Sequence, residues 1–245
     1  KDAPIFFSKA STLSNVSMKS LAVHIGSQLL ELSPYKSAYE KIAEMTRYLR
    51  STGHEISHLD LGGGLGIPYS DESLIDLNAY NQIISETVGD LDCKLSIEPG
   101  RYLVGEAGIL ITRVIYIKQG DQKKFVIVDG AMNDLIRPTL YEGFHAIVPV
   151  TEKNLSSQKS LCDVVGPICE SGDYFAKDRM LPEFSQNDLL AIMCSGAYGA
   201  VMASNYNSRP LIPEVLVNNE IFSVIRERQT FEKIIQDEKL AAWLQ

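Results

Sequence analysis

Basic charge is in short supply in this chain: 23 Lys and Arg stand against 31 Asp and Glu, a net charge of -8. A polyanion partner requires a basic stripe to neutralise phosphates, and none is present, so nucleic-acid binding is not expected. Cysteine is scarce too. Cys93, Cys162, Cys169 and Cys194 are widely spaced without any C-x-x-C pair, which provides neither a zinc site nor a disulfide framework and leaves reduced thiols. No metal centre is expected. Long apolar runs are missing as well: none approaches the length of a bilayer span, and the opening residues lack the basic-then-apolar pattern of a signal peptide. These absences lead to the expectation of a cytoplasmic protein without a membrane partner. What remains is ordinary globular material, 245 residues with 45% hydrophobic content and a mean hydropathy of -0.03, enough for one large domain or two moderate ones.

Glycine is concentrated rather than abundant. Leu59-Asp60-Leu61 runs into Gly62, Gly63, Gly64 and Gly66, four glycines within five positions. A strand needs that much glycine only where the backbone turns sharply or something approaches it closely. Successive N–H groups in such a turn form a concave, partly positive cradle suited to a phosphate oxygen. A tight strand-to-helix turn with no ligand explains the same residues, and both readings stand at this point. A dinucleotide site is the weaker third, because Gly62-Gly63-Gly64-Leu65-Gly66 lacks the G-x-G-x-x-G spacing.

Along the chain, Pro4-Ile5-Phe6-Phe7 reads as a strand followed by a loose connection. Residues 21–25 form an apolar run broken only by His24, which suits a strand buried on both faces. Ser33 as cap, Pro34, and apolar residues from Tyr35 to Leu49 at helical spacing predict an amphipathic helix reaching Gly53. A strand over 56–61, a helix over 74–88 and a strand over 95–97 that closes in Glu98-Pro99-Gly100-Arg101 follow. Strand alternating with helix predicts a β/α barrel or doubly wound sheet. After Gly105 the texture becomes β-rich, with strands expected over 109–117, 124–129, 147–150, 163–165, 189–193 and 214–217, hence an antiparallel β domain. Residues 231–244 predict a terminal helix that docks back. The expected domains are 1–17, a strand segment of open placement, 18–105, the C-terminal part of a barrel, and 106–245, the β domain. A complete barrel takes about 250 residues, so this one is partial, and the passage from residues 1–17 to the His24 strand is where barrel strands are expected to be absent.

Five ordered motifs become specific together: His24-Ile25-Gly26-Ser27-Gln28, Asp60-Leu61-Gly62-Gly63-Gly64, Glu98-Pro99-Gly100-Arg101, Cys169-Glu170-Ser171-Gly172-Asp173 and Gly196-Ala197-Tyr198-Gly199. From about Met18 onward the chain resembles the alanine-racemase-like, pyridoxal-phosphate-dependent decarboxylases, most closely their diaminopimelate-decarboxylating branch. The resemblance implies a TIM β/α barrel followed by a β domain, pyridoxal 5'-phosphate as cofactor, and a homodimer with shared active sites. It also implies loss of carbon dioxide from meso-diaminopimelate to give L-lysine.

Residue roles follow from the same resemblance. His24 would stack on the cofactor ring, though an isolated strand histidine is more often a hydrogen-bonded core residue. Ser27, Gly62, Gly63, Gly64 and Gly100 would hold the phosphate, Glu98 would face the pyridine nitrogen, and Tyr198 would lie near cofactor and substrate. Arg101 matches a substrate-carboxylate contact, for which a guanidinium fork is suited. Arg137 and Tyr141, with Ser171, would bind the distal carboxylate, although alone they read as surface residues. Cys169 matches the proton donor and Glu170 the partner of the distal ammonium, both reaching the neighbouring subunit's site; a lone cysteine read by itself is a buried structural thiol. His145 occupies a familiar position without a catalytic role. The lysine that anchors the cofactor aldehyde belongs to the first barrel strand in a context like Tyr-Ala-x-Lys-Ala-Asn. Phe6-Phe7-Ser8-Lys9-Ala10-Ser11 matches it without gaps but imperfectly, which makes Lys9 the candidate. The same stretch fits the family's opening strand equally well. Two alternatives stay open: an ornithine- or arginine-type decarboxylase, and a non-catalytic pyridoxal-phosphate-binding homologue.

Overall fold

A computed structural model describes residues 2–152 and 158–244. It divides into two compact units, Lys1–Gly105 and Glu106–Gln245.

The first unit is built on three parallel strands, β1 (Ser20–Ala22), β2 (His58–Gly63) and β3 (Lys94–Glu98), in that spatial order. Two helices cover one face, α2 (Ser33–Ser51) and α3 (Leu77–Val88). Tyr35, Ala38, Tyr39, Ile42, Ala43, Thr46 and Leu49 of α2 are buried at helical spacing against Leu59 and Leu61 of β2 and Tyr80 and Val88 of α3. That apolar stripe, not intrinsic propensity, is what holds a helix of this length. Leu32, rather than Ser33, precedes the helix, with Pro34 in its first turn where no N–H is missed. Helix α3 starts later than its apolar pattern, because Asp76 caps it by accepting from the Asn78 and Ala79 amides at 2.8 and 3.3 Å. A short α4 (Gly100–Val104) follows β3.

Two expectations for this unit are corrected. Residues 4–7 are not a strand: α1 (Ala3–Ala10) spans them, with Pro4 in its first turn and Phe7 buried in the core. A short apolar run with proline at its head fits either element, and packing of Phe7 edge-on to the His54 ring, centroids 5.5 Å apart, selects the helix. Residues 21–25 are not buried on both faces, since Ala22, His24 and Ile25 are exposed. Three strands do not enclose a lumen, so the face away from α2 and α3 stays open. By strand alternation and register, Ala22, His58, Asp60, Ser96 and Glu98 share that face, and His58 hydrogen-bonds Ser96 at 2.9 Å.

In the second unit six strands form one sheet in the order β6-β9-β4-β5-β7-β8: β4 (Leu110–Gln119), β5 (Lys124–Val128), β6 (Ile147–Pro149), β7 (Lys159–Val165), β8 (Tyr174–Pro182) and β9 (Leu189–Ile192). All its pairings are antiparallel except β5 with β7, which is parallel. Val114, Val126, Val128, Val164, Phe175, Leu190 and Ile192 make its core. A five-residue α5 (Arg137–Tyr141) precedes β6, and the hairpin β10 (Glu214–Asn218) and β11 (Ile221–Arg226) forms its own two-stranded sheet. The architecture is thus a partial β/α barrel followed in sequence by a β domain. The terminal segment is corrected: only α6 (Phe231–Ile235) and a one-turn 3-10 helix form, and Phe231, Ile235, Leu240 and Trp243 are exposed at 63%, 61%, 67% and 86%. These side chains stay in solvent among the described residues, so apolar spacing alone, without burial, does not hold a longer docked helix. Among the described residues, no helix is long and apolar enough to cross a membrane.

Candidate functional site

The glycine turn is the C-terminal end of β2, and its geometry is set first by the strands on either side. Gly62 has φ of +69°, and a Cβ there would lie 2.1 Å from the Val23 carbonyl oxygen. A Cβ on Gly63 would lie 2.0 Å from that of Glu98. Both neighbours are backbone and cannot swing aside, so glycine is obligatory at these positions with or without a ligand. Nor are all the amides bare: the Gly62 N–H donates to the Asp60 carboxylate at 2.8 Å, and that of Gly63 points at His24 Nδ1 at 3.4 Å. Gly100 is the contrast. Nothing lies within 4 Å of a Cβ there, and its φ is not positive, so the fold itself makes no demand for glycine.

Around this turn the structure brings together His24, Ser27, Gly62, Gly63, Glu98 and Arg101. Arg101 Nη2 donates to Ser27 Oγ at 3.1 Å and Nη1 to Tyr69 Oη at 2.5 Å, with the guanidinium 5.7 Å from the Tyr69 ring centre. Arg101, which the resemblance gave to the substrate, therefore contacts Ser27, which it gave to the phosphate. Tyr69 had no signal in the sequence. Behind the turn, three phenols cluster: Tyr39 donates to the Leu61 carbonyl at 3.3 Å and shares a 2.7 Å bond with Tyr80, while Tyr35 packs edge-on to Tyr80. Burial pushes the Tyr35 phenol up to about 12 and raises Tyr39 and Tyr80 as well. Lys9 is not brought here. It is exposed on α1, which packs by Phe7 against His54 ahead of β2, whereas the glycine turn lies where β2 ends.

The second unit carries its own cluster. Arg137 opens α5 and is only 7% exposed, unlike the surface residue its neighbourhood suggested; Tyr141, one turn on, is 63% exposed. Glu142, with φ of +53°, ends α5, and the Gly143 N–H closes the turn onto the Arg137 carbonyl at 3.2 Å. The chain then runs back so that His145 Nε2 meets Arg137 Nη1 at 2.8 Å. Thr139 donates to the Gly172 carbonyl, tying α5 to the turn that carries Cys169, Glu170 and Ser171.

That turn is pinned by Asp173, whose oxygens accept from the Met132 amide at 2.7 Å and the Ile168 amide at 2.6 Å. Gly166 leaves room for it, since a Cβ there would lie 2.4 Å from the carboxylate. Burial raises the Asp173 and Asp134 carboxyls above their ordinary range despite amide donors, the cost of desolvating a charge. Cys169, Glu170 and Ser171 are exposed, so Cys169 is not a buried structural thiol. Cys162 is the buried one, and burial pushes its thiol up. Glu170 is steadied by the Gly172 amide at 3.2 Å and the Tyr206 hydroxyl at 3.4 Å. Tyr198 is 41% exposed and held at φ of +59°, a conformation a bulky residue adopts only where its surroundings impose it. His145 and Asp173 are the residues that sequence reasoning left without roles; both stood at the ends of motifs, and that position was the available signal.

The chain that carries these two clusters is similar to known proteins. The sequence family described as "Pyridoxal-dependent decarboxylase, C-terminal sheet domain" matches residues 17–196. Diaminopimelate decarboxylase of Zymomonas mobilis is 44% identical over the whole chain, and that of Neisseria meningitidis serogroup A is 46% identical over 97% of it. The crystal structure of diaminopimelate decarboxylase from Helicobacter pylori complexed with L-lysine superposes with a TM-score of 0.90 at 43% identity over 96% of the chain. The chain spans 58% of the length of each of these relatives. With the family matched over most of its residues, this chain belongs to the pyridoxal-dependent decarboxylases.

Proposed function

We propose that this chain is the larger part of a pyridoxal-phosphate-dependent amino-acid carboxy-lyase that converts meso-diaminopimelate to L-lysine and carbon dioxide. It works in the cytoplasm as a homodimer in which each chain completes the other's site. Within it, residues 18–105 hold the cofactor and residues 106–245 the far end of the substrate, while residues 1–17 take no part.

The cradle fits the cofactor's phosphate in a specific way. Gly62 spends its amide on Asp60 and shapes the turn, so the phosphate oxygens fall to the Gly64 and Gly100 main chain, to the Ser27 hydroxyl that Arg101 orients, and to the Gly63 amide once it leaves its long 3.4 Å contact with His24. Gly100, open where the fold has no need of glycine, is the position a ligand oxygen explains. Pyridoxal phosphate, when bound, supplies the sink for the electrons that carbon dioxide leaves behind. His24 offers its ring to the cofactor's face. Glu98 holds a proton on the pyridine nitrogen. Cys169, exposed on a pinned turn, returns a proton from its thiol to the carbon that lost carbon dioxide in the partner's site, and Glu170 pairs with the distal ammonium. Lys9 is given no role.

The observation that carries the substrate reading is Arg137, a buried guanidinium held in one orientation beside the exposed Tyr141. A fixed planar cation suits a second carboxylate, which meso-diaminopimelate has and ornithine and arginine lack. Carbon dioxide release from the three amino acids, assayed side by side on the full-length protein with added cofactor, is expected only from meso-diaminopimelate. Release from ornithine or arginine alone overturns the substrate, and cofactor retention without turnover overturns the enzyme.

A further inference from the structure

His145 is fully buried, and both of its ring nitrogens are engaged. Its Nδ1 lies 2.8 Å from the Met193 carbonyl oxygen, and its Nε2 lies 2.8 Å from Arg137 Nη1. A carbonyl only accepts, so Nδ1 carries the hydrogen. A guanidinium only donates, so Nε2 presents its lone pair. The two neighbours together define a single tautomer, the neutral ring protonated at Nδ1. The backbone at this residue is held too. The His145 carbonyl accepts from Arg179 Nη1 at 3.1 Å, and that guanidinium lies 3.8 Å over the Phe144 ring. Next door, the Met193 amide donates to the Ala146 carbonyl at 2.9 Å, continuing the β6–β9 ladder up to the imidazole.

From this geometry we infer that His145 is a positioning residue that sets the orientation of the Arg137 guanidinium for an anionic substrate group. Taking Arg137 as the distal-carboxylate site rests on the function proposed above. A carboxylate in its place would orient the arginine equally well but would cancel much of the charge the ligand needs. The neutral imidazole orients without cancelling. The chain of contacts runs from Met193, just past the end of β9, through the ring to Arg137, so the guanidinium inherits the rigidity of β6 and β9 rather than of the short α5. Fixing a bidentate donor in advance spares the ligand the cost of ordering it.

The test compares two diamines on the full-length holoenzyme. L-lysine and cadaverine share five carbons and two amines, and only lysine has a carboxylate for Arg137. His145→Asn keeps a donor toward Met193 and withdraws the acceptor from Arg137; His145→Gln returns an acceptor toward Arg137. The expected result is that His145→Asn weakens competitive inhibition by L-lysine about tenfold and raises KM for meso-diaminopimelate, while cadaverine inhibits as before. His145→Gln is expected to recover most of the loss. Equal weakening of both diamines, or no change in either, overturns the inference. Should the wild-type enzyme itself fail to distinguish lysine from cadaverine, the assignment of Arg137 fails instead. Nitrogen NMR of the wild-type ring provides a readout independent of variant folding: a protonated Nδ1 with a bare Nε2 is expected, and an Nε2–H or doubly protonated ring overturns it.

Discussion

Alanine at Gly63 and at Gly100 separates what the glycines do for the fold from what they do for a ligand. At Gly63 the added methyl would stand 2.0 Å from the Glu98 carbonyl oxygen and 2.9 Å from its carbon. Ordinary contact begins at 3.4 Å, so β2 and β3 would have to part by about 1.4 Å at this step (3.4 less 2.0). Their spacing is about 4.8 Å, so the Gly63–Glu98 pairing does not survive such a move. Overpacking of this kind costs about 1–3 kcal/mol and a lost ladder bond about 1 more, together about 2–4 kcal/mol. With a urea dependence of about 2–3 kcal/mol per molar, the unfolding midpoint falls by roughly 1 M. At Gly100 nothing is displaced, and alanine in a helix is favoured by about 0.5–1 kcal/mol. Gly100→Ala is therefore expected to unfold at or slightly above the wild-type midpoint yet to bind pyridoxal phosphate about tenfold more weakly, a loss of ~1.4 kcal/mol. Urea unfolding followed by circular dichroism and cofactor titration followed by absorbance measure the two effects. A wild-type midpoint for Gly63→Ala would refute the strand-packing reasoning, and wild-type cofactor affinity for Gly100→Ala would remove that residue from the phosphate set.

Other consequences follow from the same contacts. Folding holds the Tyr35 proton more tightly than the unfolded chain, whose phenol titrates near 10. Its contribution is complete below pH 10 and is lost as pH rises toward about 12, and Tyr35→Phe is expected to soften that alkaline fall in the urea midpoint. Asp173→Asn leaves one acceptor for two amides, so hydrogen exchange should speed at either Met132 or Ile168; unchanged protection at both would contradict the clamp. Alkylation of the native protein, mapped by mass spectrometry, is expected to modify the exposed Cys169 well before the buried Cys162, whose thiol burial pushes up. Arg137→Lys keeps the charge but not the fork, and a rise in KM for meso-diaminopimelate of about tenfold or more is expected, with an unchanged KM counting against the distal-carboxylate role.

Helix α2, the glycine turn of β2 and the switch to β-rich texture after Gly105 were legible because each is written in residues that are neighbours along the chain: a 3.6-residue stripe, a glycine cluster, alternating runs. Strand β8 was not, because Lys177-Asp178-Arg179 interrupts its apolar run; pairing with β7 overrides the local pattern, with Asp178 at φ of +49° absorbing the irregularity as its amide donates to Asp163 at 2.7 Å. Segment 4–7, read as a strand, is helical for a similar reason: packing of Phe7 on the ring of His54, far along the chain, outweighs the local pattern. By itself the sequence determined that glycines crowd one turn, that an arginine stands four residues before a tyrosine, and that a cysteine motif ends in aspartate. Only tertiary structure decided that the glycines answer to Val23 and Glu98, that Arg137 is buried against His145 and Met193 stands behind that ring, and that Asp173 joins residues 132 and 168. Turn chemistry acts between adjacent residues, whereas close packing and hydrogen bonding act between whichever atoms the closed chain brings together, and one-dimensional order does not contain those distances.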